Sequence, residues 1–116
     1  MNEILNIDQL IAELRSITAK QAQGVDRIHE LELVLDERSQ RLDIARAKAL
    51  LSVVGKNVEE KKAAVDLLVI TEREAFDLAK ATHTYAKAKA KNYEMAQMST
   101  QSQLTAVRAT YAIGGN

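Results

Sequence analysis

Apolar residues recur along the first half of the chain at alternating steps of three and four. Ten of the fourteen positions in this series are apolar. A heptad pattern sustained over about seven repeats is typical of a coiled coil, and it predicts one long helix over residues 7–53. The seam positions are Ile7, Leu10, Leu14, Ile17, Gln21, Gly24, Ile28, Leu31, Leu35, Arg38, Leu42, Ala45, Ala49 and Ser52.

Small and polar residues interrupt this seam at two places. Gln21 and Gly24 fall on it together, and glycine costs a helix interior about 1 kcal/mol relative to alanine. A bend or break of the first helix is therefore most expected near Gly24. Arg38 has two interpretations. Either it sets register as a buried polar group, or its stem packs on the seam while its guanidinium reaches water, which we favour.

The stretch 55–60 predicts a turn between two helices. Gly55 suits the positive φ that ends many helices. Asn57 suits the cap of a following helix, and Glu60 lies three residues later, where a capping box places its acid. The sequence therefore predicts a tight connection over residues 54–58 and flanking helices that run antiparallel.

The second arm has a thinner apolar face, and alanines dominate it after Ala79. Its heptad register stays open, because Glu72 and His83 fall near the seam. We predict a second helix over residues 58–97.

The uncharged run at 98–103 predicts a break in this second arm. Thr100 and Gln103 have the spacing of a capping box for a new helix. A short C-terminal helix over residues 100–112 is therefore expected, with Leu104, Val107 and Tyr111 on its apolar face.

Composition supports an all-α fold. Hydrophobic residues make up 47% of the 116 residues and aromatics only 3%, and there is no proline. We expect a single helical domain built as a long antiparallel hairpin with a short C-terminal helix. Two helices bury little surface per residue, so we expect a homo-oligomer. The seam side chains predicted to hold copies together are Leu14, Ile28, Leu31, Leu35 and Leu42.

Charge is balanced overall but uneven along the chain. Residues 1–40 carry eight acids and four bases, whereas residues 41–116 carry eight acids and twelve bases. Lys80, Lys87 and Lys91 follow one helix face, where like charges at i, i+4 repel unless an anion neutralises them. Tyr85 and Tyr93 are placed to stack nucleic-acid bases. The alternative is a solvated lysine face that balances the acidic first arm.

Catalytic and cofactor chemistry is not indicated. His29 and His83 are isolated, and no serine has a histidine nearby to act as base. Gly55 and Lys56 lack the other residues of a phosphate-binding loop. Cysteine is absent. We therefore expect neither an enzyme nor a metal or cofactor site.

The chain from about residue 42 resembles the UvsY-type recombination mediators of tailed phages. A basic and apolar helix end over 45–51 runs into the turn, a charged helix start follows over 58–62, and an amphipathic tail ends near Tyr111. The resemblance implies a protein that binds single-stranded DNA and helps to load a RecA-like recombinase onto strands coated by single-strand-binding protein. The family's DNA-binding basic pair falls on Arg46 and Lys48.

The functional prediction is a phage accessory protein of DNA recombination that binds single strands and mediates recombinase loading. The alternative is a structural coiled-coil scaffold, assembly chaperone or inhibitor that docks a partner protein. No signal peptide and no apolar run long enough to span a membrane is present. We therefore expect a cytoplasmic protein, in the host cell cytoplasm if it is phage-encoded.

Overall fold

The computed structural model describes residues 7–114, and the side chains of residues 7–112. These residues are all-α, as the sequence predicts. Helix α1 spans Ile7–Ser52, α2 spans Val58–Leu68 and α3 spans Ile70–Gly114. The described residues belong to two compact units. The turn unit contains residues 28–85, and the terminal unit contains residues 7–27 and 86–114.

The turn lies at residues 53–57, close to its predicted place, and it is capped as predicted. The Asn57 side chain accepts a hydrogen bond from the Glu60 backbone N–H at 2.8 Å. The Glu60 carboxylate in turn accepts one from the Lys56 backbone N–H at 2.8 Å. The two bonds provide partners for the backbone N–H of Glu60, in the first turn of α2, and for that of Lys56, the residue before the cap.

Gly55 lies in the turn as predicted, but the positive φ predicted for it is wrong. No described glycine has a positive φ. A Cβ added at Gly55 would instead lie 2.9 Å from the Lys61 Cγ and 3.0 Å from the Lys61 backbone nitrogen. Glycine suits this position because the turn passes close to the first turn of α2, so that a side chain here would force the turn or Lys61 to shift.

The predicted heptad is the buried seam of α1. Every predicted seam position except Ser52 is buried or partly buried, while most other residues of α1 are exposed. The helix also runs through Gly24 without a break. The penalty of one glycine, about 1 kcal/mol, is small beside the packing of the helical turns on either side.

The second arm has a seam with the same alternation of steps of four and three. Glu72 and His83 lie on it, which settles the register that the sequence left open. Its buried or partly buried positions are Val65, Val69, Glu72, Phe76, Ala79, His83, Ala86, Ala90, Tyr93, Gln97, Thr100, Leu104 and Val107.

The predicted break at 98–103 and the separate C-terminal helix over 100–112 are wrong. Helix α3 continues to Gly114. Thr100 is only 3% exposed and occupies a seam position between Gln97 and Leu104 instead of capping a new helix. Because these residues keep the heptad spacing and none is proline or glycine, the face continues and the helix has no reason to stop.

An interruption does occur earlier, at Val69, between α2 and α3. Its φ of −108° and ψ of 16° leave the helical region. Helical hydrogen bonding nevertheless continues on both sides, since its N–H donates to the Val65 carbonyl at 3.1 Å and its carbonyl accepts from the Arg73 N–H at 2.9 Å. Val69 is 1% exposed, so packing against α1 holds this residue in place.

In the turn unit the two arms are antiparallel, as predicted. Near the turn, Leu42 and Ala49 of α1 share a buried cluster with Val65 and Val69. Farther from the turn, Glu32 of α1 meets His83 of α3, with 3.4 Å between Oε1 and Nε2. Each contact thus joins residues that lie at similar distances from the turn along the two arms. This order confirms the antiparallel hairpin.

The seam residues predicted to join copies of the chain have a different use. Leu31 and Leu42 are buried within the single chain, at 7% and 4% exposure. Leu14, Ile28 and Leu35 are partly buried on the same seam. The described structure uses this seam to pack the chain against itself, and the role of these residues in joining copies stays a prediction.

Candidate nucleic-acid interface

The terminal unit contains a groove bordered by three cations. Its volume is about 250 Å³, and no carboxylate is among its lining residues. We call it the cationic groove. It is lined by Lys20, Gln23, Gly24, Arg27, Ala86, Lys89, Ala90 and Tyr93.

The heptad register explains why the cations meet. On α1, Lys20 and Arg27 are seven residues apart, and each immediately precedes a seam position. On α3, Lys89 immediately precedes the seam residue Ala90. Residues at this position flank the seam of a coiled coil. In an antiparallel pair, equivalent flanks of the two helices lie on the same side, so cations from both arms border one groove.

An aromatic ring lies within reach of one of these cations. The Lys20 Nζ is 5.9 Å from the centroid of the Tyr93 ring, at the outer edge of the cation–π range. Tyr93 is partly buried on the α3 seam. Packing therefore restrains the ring, which also lines the groove.

Small seam residues make room for the groove. Gly24, Ala86 and Ala90 carry one methyl group or none, and a Cβ built at Gly24 has no atom within 4 Å. A larger side chain at any of these positions would project into the opening. The glycine that the sequence pattern marked as a weak point of the helix thus forms part of a cavity.

The predicted lysine face is only partly related to this groove. Lys80, Lys87 and Lys91 are exposed, and none of them lines it. Lys80 belongs to the turn unit, and Lys87 and Lys91 belong to the terminal unit. Lys89 is the member of the lysine-rich stretch that reaches the groove.

The predicted basic pair, Arg46 and Lys48, is not brought together. Residues two positions apart on a helix point in directions that differ by about 200°. Accordingly, the side chains of Arg46 and Lys48 line separate grooves of the turn unit. Lys48 lines a groove of about 400 Å³ with Arg38 and Arg41. Arg46 lines a larger one of about 820 Å³, which we call the tip groove. The tip groove is lined by Arg46, Ala47, Leu50, Val58, Lys61, Lys62, Val65, Asp66 and Arg73.

Two residues of the cationic groove, Lys20 and Arg27, were not predicted from the sequence. They lie in the arm with an excess of acids, whereas the charge pattern favoured the lysines of the second arm. A usable pattern was present, because cations lie at multiples of seven residues, at 20, 27, 41 and 48. Only the pairing of the two arms shows that the first two of these approach Lys89 and Tyr93.

The two histidines have different environments. His83 lies on the seam beside Glu32, and His29 is exposed. Among residues 7–114, no three His, Cys, Asp or Glu side chains come together in an arrangement suited to a metal ion.

No protein-family model, curated protein or solved structure matches the chain significantly. The resemblance to the UvsY-type mediators therefore rests on the sequence pattern alone. None of the described helices combines the length and apolar character needed to cross a bilayer.

Proposed function

We propose that this protein binds single-stranded DNA in the cationic groove and acts as an accessory protein of phage DNA recombination. The observation that supports the proposal is that Lys20, Arg27 and Lys89 line one groove together with Tyr93, with the Lys20 Nζ 5.9 Å from the centroid of the Tyr93 ring. A groove that combines cations with an aromatic surface suits a single strand, because phosphates meet the cations and a base stacks on the ring.

Binding of this kind is independent of base sequence. Lysine and arginine contacts to phosphate position a strand but do not read its bases. Every nucleobase has a flat face that stacks on an aromatic ring. Gln23 is the only uncharged polar amide in the lining, so base discrimination is expected to be weak.

The wider role, in which the protein helps a RecA-like recombinase to displace single-strand-binding protein, comes from the resemblance over residues 42–116. Lys87 and Lys91, exposed in the same unit as the groove, provide further cations for a bound strand. Lys80, Arg46 and Lys48, in the turn unit, remain candidates for separate phosphate contacts.

The decisive experiment is fluorescence anisotropy with a labelled oligonucleotide, at low and at near-physiological salt. Replacement of Lys20 and Lys89 by alanine should weaken binding and flatten the slope of log affinity against log salt by about 1.4, since each phosphate contact with a single strand contributes about 0.7. The comparison variant is Arg46→Ala with Lys48→Ala, which removes two cations outside the cationic groove and should weaken binding less. Equal loss in both double variants would contradict the assignment to the cationic groove.

A second variant tests the cavity without removing charge. Gly24→Leu places a side chain in open space and improves helix propensity, so the helix should persist while the groove fills. We expect loss of DNA binding with unchanged circular dichroism. Wild-type protein that gives no anisotropy change even at low salt would refute DNA binding altogether.

A scaffold or docking role is the second candidate, and a separate observation favours it. Of the sixteen large hydrophobic side chains that are exposed among the described residues, twelve lie in the turn unit. A concentration of exposed apolar side chains in one unit favours contact with a partner there. This role requires no DNA, and absence of DNA binding would leave it as the better explanation.

A further inference from the structure

One face of α1 in the turn unit has an acidic half and a basic half. Its residues recur at seven-residue spacing, as in 36, 43 and 50 or 33, 40 and 47, so they lie along one side of the helix. They are outside the buried seam, and Leu33 and Leu50 are each 58% exposed. We call this side the α1 outer face. It consists of Glu32, Leu33, Asp36, Gln40, Asp43, Arg46, Ala47 and Leu50.

The half of this face nearer the turn carries Asp43 and Arg46 and merges with the tip groove. We call it the basic half because the groove adds Lys61, Lys62 and Arg73 to Arg46, with Asp66 as the one acid in its lining. Apolar side chains complete the lining, namely Ala47, Leu50, Val58 and Val65. The acidic half, around Leu33, has the opposite character, because an exposed leucine is flanked by Glu32 and Asp36.

We propose that a second copy of this chain docks antiparallel on the α1 outer face and closes a two-fold dimer. When two copies are aligned about residues 40–41, Asp36 of each lies opposite Arg46 of the other, and Leu33 lies opposite Ala47. Each contact occurs twice, as a two-fold axis requires. The acidic end of one copy, at Glu32, reaches the border of the other copy's tip groove.

Charge order favours a second copy over a different occupant. A partner that only complemented the tip groove would leave Asp36 without an oppositely charged group across the contact, whereas a second copy places Asp36 of each copy opposite Arg46 of the other. The contact from Glu32 to Leu50 extends over about 27 Å of helix at 1.5 Å per residue. The internal seam is already occupied by the chain's own second arm, so self-association of the folded hairpin uses an outward face of this kind.

The test is sedimentation of purified full-length protein across a concentration series, with circular dichroism as the check on folding. Arg46→Glu and Asp36→Arg, made singly, each place like charges opposite one another in the dimer and should raise the dissociation constant of the dimer at least about tenfold, since about 1.4 kcal/mol corresponds to a factor of ten. Combining both changes in one chain reverses each pair and should restore association. The matched control is Lys48→Glu, an equal charge change on a different side of the same helix, which should leave association unchanged.

Three results would overturn this proposal. The first is wild-type protein that remains monomeric at about 100 μM, a concentration above the dissociation constants of most specific complexes. The second is a double variant that associates no better than the single variants. The third is monomeric protein that cosediments with phosphatidylserine vesicles but not with phosphatidylcholine vesicles, and that loses this binding when Arg46 is replaced. This result would assign the tip groove to an anionic lipid surface. The proposal is independent of DNA binding, since its variants leave the cationic groove intact.

Discussion

The turn unit and the terminal unit use the same heptad spacing but fill the seam differently. In the turn unit the seam brings together Leu42, Val65 and Val69, with Phe76 packed against them. In the terminal unit the seam includes Gln21, Gly24, Ala90 and other small or polar residues, and a groove opens there. Heptad spacing therefore determines which residues face the other helix, whereas side-chain volume determines how much of the space between the helices they fill.

The exposed surfaces of the two units differ as well. The turn unit carries most of the exposed large hydrophobic side chains among the described residues, including Leu51 at 90% and Val54 at 95% exposure. The terminal unit instead presents cations around Tyr93. Apolar surface favours contact with protein or lipid, and cationic surface favours contact with phosphate. This difference agrees with the two proposals, which are association between copies through the turn unit and DNA binding in the terminal unit.

The largest expected effect tests whether the turn unit supplies most of the stability. Leu42→Ala should lower the free energy of unfolding by about 3 kcal/mol, because it removes a buried side chain and leaves a cavity. Urea unfolding followed by circular dichroism measures the change. The control is Leu104→Ala in the terminal unit, where Gln97 and Thr100 precede it on the seam. A loss of stability in Leu104→Ala equal to or greater than that in Leu42→Ala would show that the turn unit does not supply most of the stability.

A smaller loss is expected from Gly55→Ala in the turn. The new methyl group would lie 2.9 Å from the Lys61 Cγ and 3.0 Å from its backbone nitrogen, so the turn must shift, at a cost of about 1–2 kcal/mol. Thermal unfolding of the variant measures this cost. Unchanged stability would show that the close approach is relieved without strain and that glycine is not required at this position.

The cap of α2 is expected to contribute less. Asn57→Ala removes the acceptor for the Glu60 N–H and should cost about 1 kcal/mol, which is typical of a helix N-cap. Asn57→Asp keeps the acceptor and serves as the control. If both variants lose the same stability in urea unfolding, the hydrogen bond is not the reason for the effect.

The smallest effect has the opposite sign and lies in the terminal unit. Gly24→Ala adds a methyl group where no atom lies within 4 Å, and it should raise the free energy of unfolding by up to about 1 kcal/mol. The same substitution is therefore expected to lower the free energy of unfolding in the turn unit, at Gly55, and to raise it in the terminal unit, at Gly24. Destabilisation by Gly24→Ala in urea unfolding would contradict the open space at this position.

Much of the hairpin was predictable because its determinants are local. The seam of α1 follows from residue spacing, and the cap at Asn57 with Glu60 is a contact between residues three apart. The predicted break near Thr100 failed because a polar run resembles a helix start in sequence, while burial on a seam outweighs that preference. The candidate site was only half visible, since Lys89 and Tyr93 lie in the lysine-rich arm but Lys20 and Arg27 lie in the acidic one.

Periodicity, helix propensity and capping act over a few residues, so the order of the amino acids was enough to predict the helical class, the seam of the first arm and the place of the turn. Which side chains of the two arms meet was not predictable in this way and is known from the folded structure. It sets Lys20 beside Tyr93, separates Arg46 from Lys48, and gives Gly55 a steric reason in place of a conformational one. These outcomes depend on the register between segments that are distant in sequence, and that register is determined by the packing of both seams together.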